Sequence, residues 1–364
     1  RMIGGCIWDW VDQSFREVDA HGKWYWAYGG DYGPENIPSF GNFCCNGLVN
    51  AVREPHPHLK EVKKAYQYIK CTLKDPKNLT IAIKNWYDFT NLNAYVLKWS
   101  IMGDNGKMLA KGEQSIEVAP HATTEVSLGG VRLPRNIREA YLNLSWTPKK
   151  KSAFIGTDDE VAYDQFVLPA NSQYRPTLAK LSEKPEIQID PKTGALTSYI
   201  YEGQEYLASP VRLSLYRPAT DNDNREKKGG AKVWRKLGLN HLVQRVLSVK
   251  TSGHTTYSEV KLLNDKNETI GSATFEYTIR KDGILSVQTR FVPDTTFVSS
   301  LARVGLVFEM PHSFNRVTYL GRGEHETYAD RKLSGRIGIY HTDAERMFHY
   351  YVRPQATGNR TDVR

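Results

Sequence analysis

Cysteine is scarce in this chain of 364 residues, which contains only four: Cys6, Cys44, Cys45 and Cys71. Two of them are adjacent, and no pair follows the C-x-x-C spacing of a structural zinc site. Four thiols in a chain of this length are also too few for the dense disulfide framework of small secreted domains. The cysteines therefore exclude a disulfide scaffold and a cysteine-ligated zinc site. Three sequons, at Asn78, Asn143 and Asn267, do not decide the compartment.

Long apolar runs are missing, since none approaches the ~20 residues that span a bilayer. The chain opens on Arg1-Met2-Ile3-Gly4-Gly5, without the features of a signal peptide. We expect no membrane partner, and the compartment, cytoplasmic or periplasmic, stays open. The net charge is +9, but the basic runs accompany no nucleic-acid-binding motif. They are best explained as solvated loops, and we expect no nucleic-acid partner.

The first 70 residues have the pattern of a single β/α unit. Gly5 through Val11 predicts a short strand, and an aromatic- and glycine-rich loop follows from about residue 20 to 48. Apolar residues at helical spacing then predict a helix with Pro57 at its start: Leu59, Val62, Tyr66 and Ile69. A single unit of this kind cannot bury both faces of its strand, so this segment needs partners.

Beyond residue 71 the apolar pattern changes to a period of two, which is typical of half-buried strands. It is clearest at Leu79, Ile81 and Ile83, and again at Ala140, Leu142, Leu144 and Trp146. This pattern predicts an immunoglobulin-like β-sandwich over residues 71–174. A linker is predicted between Arg175 and Pro185. Longer β runs follow and predict a second, larger all-β domain over residues 183–364.

A sugar site is the most suggestive chemistry in the sequence. Trp8-Asp9-Trp10 precedes the aromatic-rich loop, and barrel enzymes place their sites at strand ends and in the following loops. The alternative is that one tryptophan belongs to a core and Asp9 caps a loop. Carboxylates cluster at 158–160, 221–223 and 324–326. Neighbouring strand residues face opposite sides, so each cluster is better explained as a polar turn than as a catalytic pair.

Six stretches resemble, in order, family 2 glycoside hydrolases of the large multidomain β-galactosidase type. They lie at residues 4–13, 28–33, 43–49, 53–61, 217–223 and 319–331. The resemblance implies a mainly β fold in three parts. Residues 1–70 would be the C-terminal end of a (β/α)8 catalytic barrel, residues 71–174 an immunoglobulin-like β-sandwich, and residues 183–364 a truncated terminal β-sandwich domain.

The resemblance also implies site residues. Trp8 matches a tryptophan that forms one wall of the galactose pocket. Phe43 and Asn46 match a pair that borders the sugar and helps to ligate sodium, the first through its backbone carbonyl and the second through its side chain. Asp9 would support the pocket from behind. Residues 34–42 depart from the commonest family pattern, which leaves the pocket rim open.

In such enzymes the two catalytic glutamates and the magnesium ligands lie upstream of the Gly4-Gly5 motif. We therefore assign no catalytic residue and expect a fragment that is inactive alone. The full-length protein would be a homo-oligomer that hydrolyses terminal β-D-galactosides such as lactose with retention. The alternative is a non-catalytic carbohydrate-binding or subunit-assembly polypeptide that works beside a separate catalytic chain. A nucleic-acid-binding β protein is supported by the charge alone.

Overall fold

The computed structural model describes residues 4–171, 173, 181–225, 230–296 and 298–364. The chain divides into two compact units. Unit 1 comprises Arg1–Pro176, Arg316–Arg353 and Thr357–Arg364, and unit 2 comprises Thr177–Asn315 and Pro354–Ala356. In the described part of the chain, strand residues far outnumber helical residues, as the sequence predicts.

The first segment of unit 1 contains one hairpin and one helix. Strand β1 (Phe15–Val18) pairs antiparallel with β2 (Trp24–Ala27), and helix α1 spans Pro57–Ala65. Pro57 lies in the first turn of α1 as predicted, where its missing N–H would have no partner within the helix anyway.

Two details of the prediction for this segment are wrong. Ile69 does not continue the helix; it is fully buried and begins the next strand. The predicted strand from Gly5 to Val11 is not formed as a regular strand. Its end makes backbone hydrogen bonds with residues 46–49, and these include one isolated parallel bridge, between Val11 and Val49. A strand needs a continuous hydrogen-bonded neighbour, and within the described part of the chain residues 4–8 have none.

A two-sheet sandwich follows in unit 1. Its strands are β3 (Ile69–Asp75), β4 (Thr80–Asn85), β5 (Tyr95–Gly103), β6 (Met108–Gln114), β7 (Thr123–Ser127), β8 (Glu139–Pro148) and β9 (Ala162–Pro169). One antiparallel sheet has the order β3-β4-β7 and the other β6-β5-β8-β9. The alternating residues predicted to face inward do so, since Ile81, Ile83, Leu142, Leu144 and Trp146 are fully buried in one core.

The described residues of unit 2 form three small sheets and two short helices. Its elements are β10 (Glu186–Ile189), β11 (Leu196–Tyr201), β12 (Gln204–Glu205), β13 (Arg212–Ser214), α2 (Asp221–Arg225), α3 (Gly230–Lys236), β14 (Val243–Ser252), β15 (Thr255–Leu263), β16 (Thr269–Ile279), β17 (Leu285–Pro293) and β18 (Gly305–Val307). Strands β14 to β17 form a four-stranded antiparallel meander. Its buried residues, among them Val260, Phe275 and Tyr277, pack with Trp234 of α3 in one core. Residues 174–180, at the predicted linker, lie outside the described residues.

The last segment of unit 1 is a hairpin followed by an irregular tail. Strand β19 (Arg316–Gly323) pairs antiparallel with β20 (Arg336–Asp343), and α4 spans Ala344–Met347. The side chain of Gln165 in β9 both accepts from the Ile337 N–H at 2.7 Å and donates to the Ile337 carbonyl at 2.8 Å. Glu61 of α1 accepts from the backbone N–H of Leu333 and Ser334. These bonds hold the hairpin against the sandwich and α1. The domain boundaries proposed from the sequence stay predictions.

Of the helices in the described part of the chain, none has both the length and the apolarity that a bilayer crossing requires.

Candidate functional site

Two short extended segments of unit 1 run side by side and form the base of the candidate site. Residues 9–12 pair in parallel with residues 46–49. The N–H of Asp9 donates to the Asn46 carbonyl at 3.1 Å, and the N–H of Asp12 donates to the Val49 carbonyl at 3.0 Å. Trp8 therefore lies beside the loop that carries Phe43 and Asn46, although the loop is more than 30 residues away in sequence.

Gly47 lies where these two segments approach most closely. A Cβ atom at this position would lie 2.3 Å from the Asp12 backbone nitrogen and 2.4 Å from the Val49 carbonyl oxygen. Both are backbone atoms that cannot rotate away, so only glycine fits. The glycine in the Asn46-Gly47 sequence is thus explained by a close backbone approach.

Trp8 and Phe43 line a common cleft of about 520 Å³. Trp8 is 75% exposed and Phe43 is 50% exposed, so both residues have apolar surface that a ligand can reach. The rest of its lining comes from Gln13, Gly29, Gly30, Tyr32, Ile37, Pro38, Ser39, Phe40, Gly41 and Cys44. No aspartate or glutamate is among these described residues. The cleft is aromatic and polar, and it supplies no carboxylate.

Phe43 and Asn46 are neighbours, as the sodium prediction requires. Phe43 lies in the short 3-10 helix Gly41–Cys44, and the side-chain amide of Asn46 donates a hydrogen bond to the Phe43 carbonyl. A carbonyl oxygen and an amide oxygen are suitable ligands for a hard cation. A half-turn of the Asn46 amide would direct its oxygen to the same side as the Phe43 carbonyl, so the two residues fit a shared cation chemically. Asn46 does not itself line the cleft.

Asp9 lies behind the cleft. Its carboxylate accepts from the backbone N–H of Trp10 at 2.6 Å and from the Gln13 side chain at 2.7 Å. Gln13 lines the cleft, so Asp9 orients a residue of the wall rather than reaching the cleft. The supporting role predicted for Asp9 is compatible with these contacts and stays a prediction.

A chain of buried polar groups fixes the paired segments, and sequence reasoning did not find it. The carboxylate of Asp12 is 1% exposed; it accepts from the N–H of Gly47 at 2.7 Å and from Nε2 of His56 at 2.7 Å. The other ring nitrogen of His56 lies 2.8 Å from Nε2 of His349. Burial, and next the neighbouring His56, lowers the pKa of His349 to about 4. His349 is therefore neutral near pH 7, and Nε2 of His56 donates to the Asp12 carboxylate.

In the carboxylate cluster at 324–326, Glu326 is held by hydrogen bonds within the fold. Glu326 is only 4% exposed and accepts hydrogen bonds from Arg331 at 2.7 Å, from the Gly358 N–H at 2.8 Å and from the Tyr351 hydroxyl. Burial alone would raise the pKa of Glu326, but these hydrogen bonds outweigh it and hold the pKa below its usual value. A carboxylate that accepts hydrogen bonds from these three residues is not free to act as a general acid or base.

The other two clusters also have local partners. In unit 2, Asp223 pairs with Arg217 at 2.6 Å and caps the start of α2 through Thr220. In unit 1, Asp159 accepts from the Gly156 N–H at 2.6 Å, and Glu160 pairs with Arg336 at 2.5 Å. Among the described residues, no group of three or more His, Cys, Asp or Glu is arranged to hold a metal ion. The magnesium expectation is not tested by these residues.

Three protein-family models match the chain in succession. "Glycosyl hydrolases family 2, TIM barrel domain" matches residues 1–71. "Beta-galactosidase, domain 4" matches residues 81–169. "Beta galactosidase small chain" matches residues 182–364, which is half of the chain.

Curated relatives are similar over the entire chain. A β-galactosidase of Priestia megaterium is 35% identical and is covered over 36% of its length. β-Galactosidase 2 of Enterobacter cloacae is 30% identical, with 37% of its length covered. The chain thus spans little more than a third of the length of these relatives. A solved exo-chitosanase of Amycolatopsis orientalis matches 82% of this chain and 29% of its own at 10% identity, with a TM-score of 0.24.

Proposed function

The chain belongs to the β-galactosidase family of multidomain family 2 glycoside hydrolases, and from this premise we propose that it forms one wall of a galactoside pocket. The enzyme would hydrolyse terminal non-reducing β-D-galactose residues, with lactose as a typical substrate, and would retain the anomeric configuration. The observation that carries the proposal is the cleft in which Trp8 and Phe43 lie together beside Asn46.

The chemistry of this cleft supports binding rather than bond cleavage. An exposed indole can stack on the apolar face of a sugar ring, and Gln13 and Ser39 can bond to its hydroxyls. Retaining hydrolysis needs two carboxyl groups about 5–5.5 Å apart, and the described lining contains none. Glu326, in the carboxylate cluster at 324–326, is buried and accepts hydrogen bonds from Arg331 and Tyr351. In this proposal, the reacting carboxylates come from parts of the catalytic barrel that are not among the described residues.

A sodium ion fits the proposal. The Phe43 carbonyl and the side-chain oxygen of Asn46 would hold it, and the ion would supply positive charge that attracts a sugar hydroxyl. The role of the chain's own residues is to place these two oxygens next to the Trp8 wall. That placement depends on the parallel pairing of residues 9–12 with residues 46–49.

Hydrolysis of a chromogenic β-galactoside tests the proposal. The chain is assayed alone and fused behind the part of the Priestia megaterium relative that precedes the matched region. We expect turnover by the fusion only, and loss of turnover when sodium is replaced by a large organic cation. Turnover by the chain alone at an enzymatic rate would mean that a carboxylate pair exists among its own residues. Glu324→Gln and Glu326→Gln would then identify it.

A further inference from the structure

Cys44 and Cys45 form a close pair of thiols at the edge of the cleft. Their sulfur atoms are 4.0 Å apart and both side chains are half-buried. Cys44 lines the cleft together with Trp8 and Phe43. The other two cysteines differ, because Cys6 is exposed and Cys71 is buried. The pair is therefore the one place in the described part of the chain where two thiols can act on one ligand.

The separation of the two sulfurs suits a single thiophilic centre. A bond of about 2.3 Å to each sulfur, the length known for zinc thiolates, brings two sulfurs to roughly 3.3–3.8 Å for bond angles of about 90–110°. The observed 4.0 Å is within a small side-chain rotation of that range. A disulfide would instead require the sulfurs to approach to about 2.05 Å on adjacent residues, whose Cα atoms lie closer than in ordinary disulfides.

The number of protein ligands limits which metal or metalloid the two thiols can bind. Within the described ranges, no third His, Cys, Asp or Glu joins the pair to make a metal-binding group. Zinc and similar ions usually take three or four protein ligands. A monosubstituted trivalent arsenical needs only two, because its third valence is occupied by an organic group.

We propose that Cys44 and Cys45 form a two-point binding site for monosubstituted trivalent arsenicals. In the binding step, R–As(OH)2 and two thiols give R–As(S–Cys)2 and two molecules of water. Two As–O bonds and two S–H bonds break, two As–S bonds form, and no atom changes oxidation state. The group R is directed into the cleft, against Phe43.

The two thiols also separate this reaction from simple alkylation, which consumes one thiol at a time. An arsenical gains from the second bond, which is intramolecular and strengthens binding by roughly 10²–10⁴.

Because the occupied site fills the cleft edge, a bound arsenical should exclude the sugar. This consequence, unlike the binding itself, rests on the proposed function. The geometry that links the two is the adjacency of Cys44 to Phe43 and of Cys45 to Asn46.

The test is a titration of the full chain with phenylarsine oxide, followed by a count of the thiols that still react with a chromogenic disulfide reagent. We expect one equivalent to protect two thiols, reversal by a dithiol and no reversal by an equal excess of a monothiol. Cys44→Ser and Cys45→Ser should each weaken binding at least about 100-fold. Cys6→Ser is the matched control and should bind as the unaltered chain does. Unchanged thermal midpoints would show that the serine variants are folded.

Two results would overturn the site: binding unaffected by both serine variants, or binding lost in Cys6→Ser. Two separate measurements test the link to the sugar. Galactose should protect Cys44 and Cys45 from the arsenical, and the arsenical-treated fusion should hydrolyse the galactoside more slowly. If one-to-one binding depends on both cysteines but galactose gives no protection, the dithiol site stands and the proposed galactoside pocket fails.

Discussion

Asp12 gives the sharpest prediction on the architecture of the site. Its carboxylate is 1% exposed and accepts from the Gly47 N–H and from His56, each at 2.7 Å. Asp12→Ala leaves both donors buried without a partner. An unsatisfied buried donor costs about 1–3 kcal/mol, so the free energy of unfolding should fall by roughly 2–6 kcal/mol.

Asp12→Asn separates hydrogen bonding from charge. The amide oxygen can still accept from Gly47, and the amide nitrogen can donate to His56 once the imidazole proton moves to the nitrogen that faces His349. The loss should therefore be less than half of that for Asp12→Ala. Chemical denaturation followed by tryptophan fluorescence measures both values. Asp19→Ala is the control, because the exposed Asp19 accepts only turn N–H groups from His21 and Lys23. The reasoning is refuted if Asp12→Ala is as mild as Asp19→Ala.

Three further predictions concern unit 1. Glu326→Gln removes the charge that compensates the buried Arg331, so the free energy of unfolding should fall by about 3–5 kcal/mol. Tyr351→Phe should lower it less in the same denaturation assay. Equal losses in the two variants would contradict the ion-pair account. Gly47→Ala forces a Cβ against two backbone atoms and should cost roughly 3 kcal/mol or more, so an unchanged thermal midpoint would count against the close approach. The pKa of His349 is lowered from 6.5 to about 4, so its neutral form contributes stability that is full above pH 6.5 and is lost as the pH falls towards 4. His349→Gln should flatten the pH dependence of unfolding in that window, and an identical slope in the variant would refute this.

The sandwich of unit 1 was predictable because a local pattern specifies it. Alternating apolar residues in a strand can bury only one face, and Leu142, Leu144 and Trp146 are buried as that rule requires. Helix α1 was predictable at its start, where Pro57 fits the first turn, but not at its end. Ile69 has helical spacing from Tyr66, yet its burial in the sandwich core determines its conformation.

The candidate site was predictable only in part. The resemblance placed Trp8, Phe43 and Asn46 in one region, and the structure brings them together, while their roles stay predictions. The contact between His56 and His349 joins residues 293 positions apart, and no periodicity in the sequence encodes such a distant pair. The Asn46-Gly47 sequence was a visible signal for a close backbone approach, and it became interpretable only when Asp12 and Val49 were seen beside it.

The most direct test of the central claim is the kcat/KM for a β-galactoside of the active fusion with Trp8→Ala. Trp86→Ala is the matched control, because Trp86 is 50% exposed and is not among the cleft residues. If Trp8 forms a wall of the galactoside pocket, kcat/KM should fall at least about tenfold for Trp8→Ala, which is about 1.4 kcal/mol of transition-state stabilisation. It should stay within about twofold for Trp86→Ala. Equal, small effects of the two substitutions would contradict the assignment of this cleft as the sugar pocket.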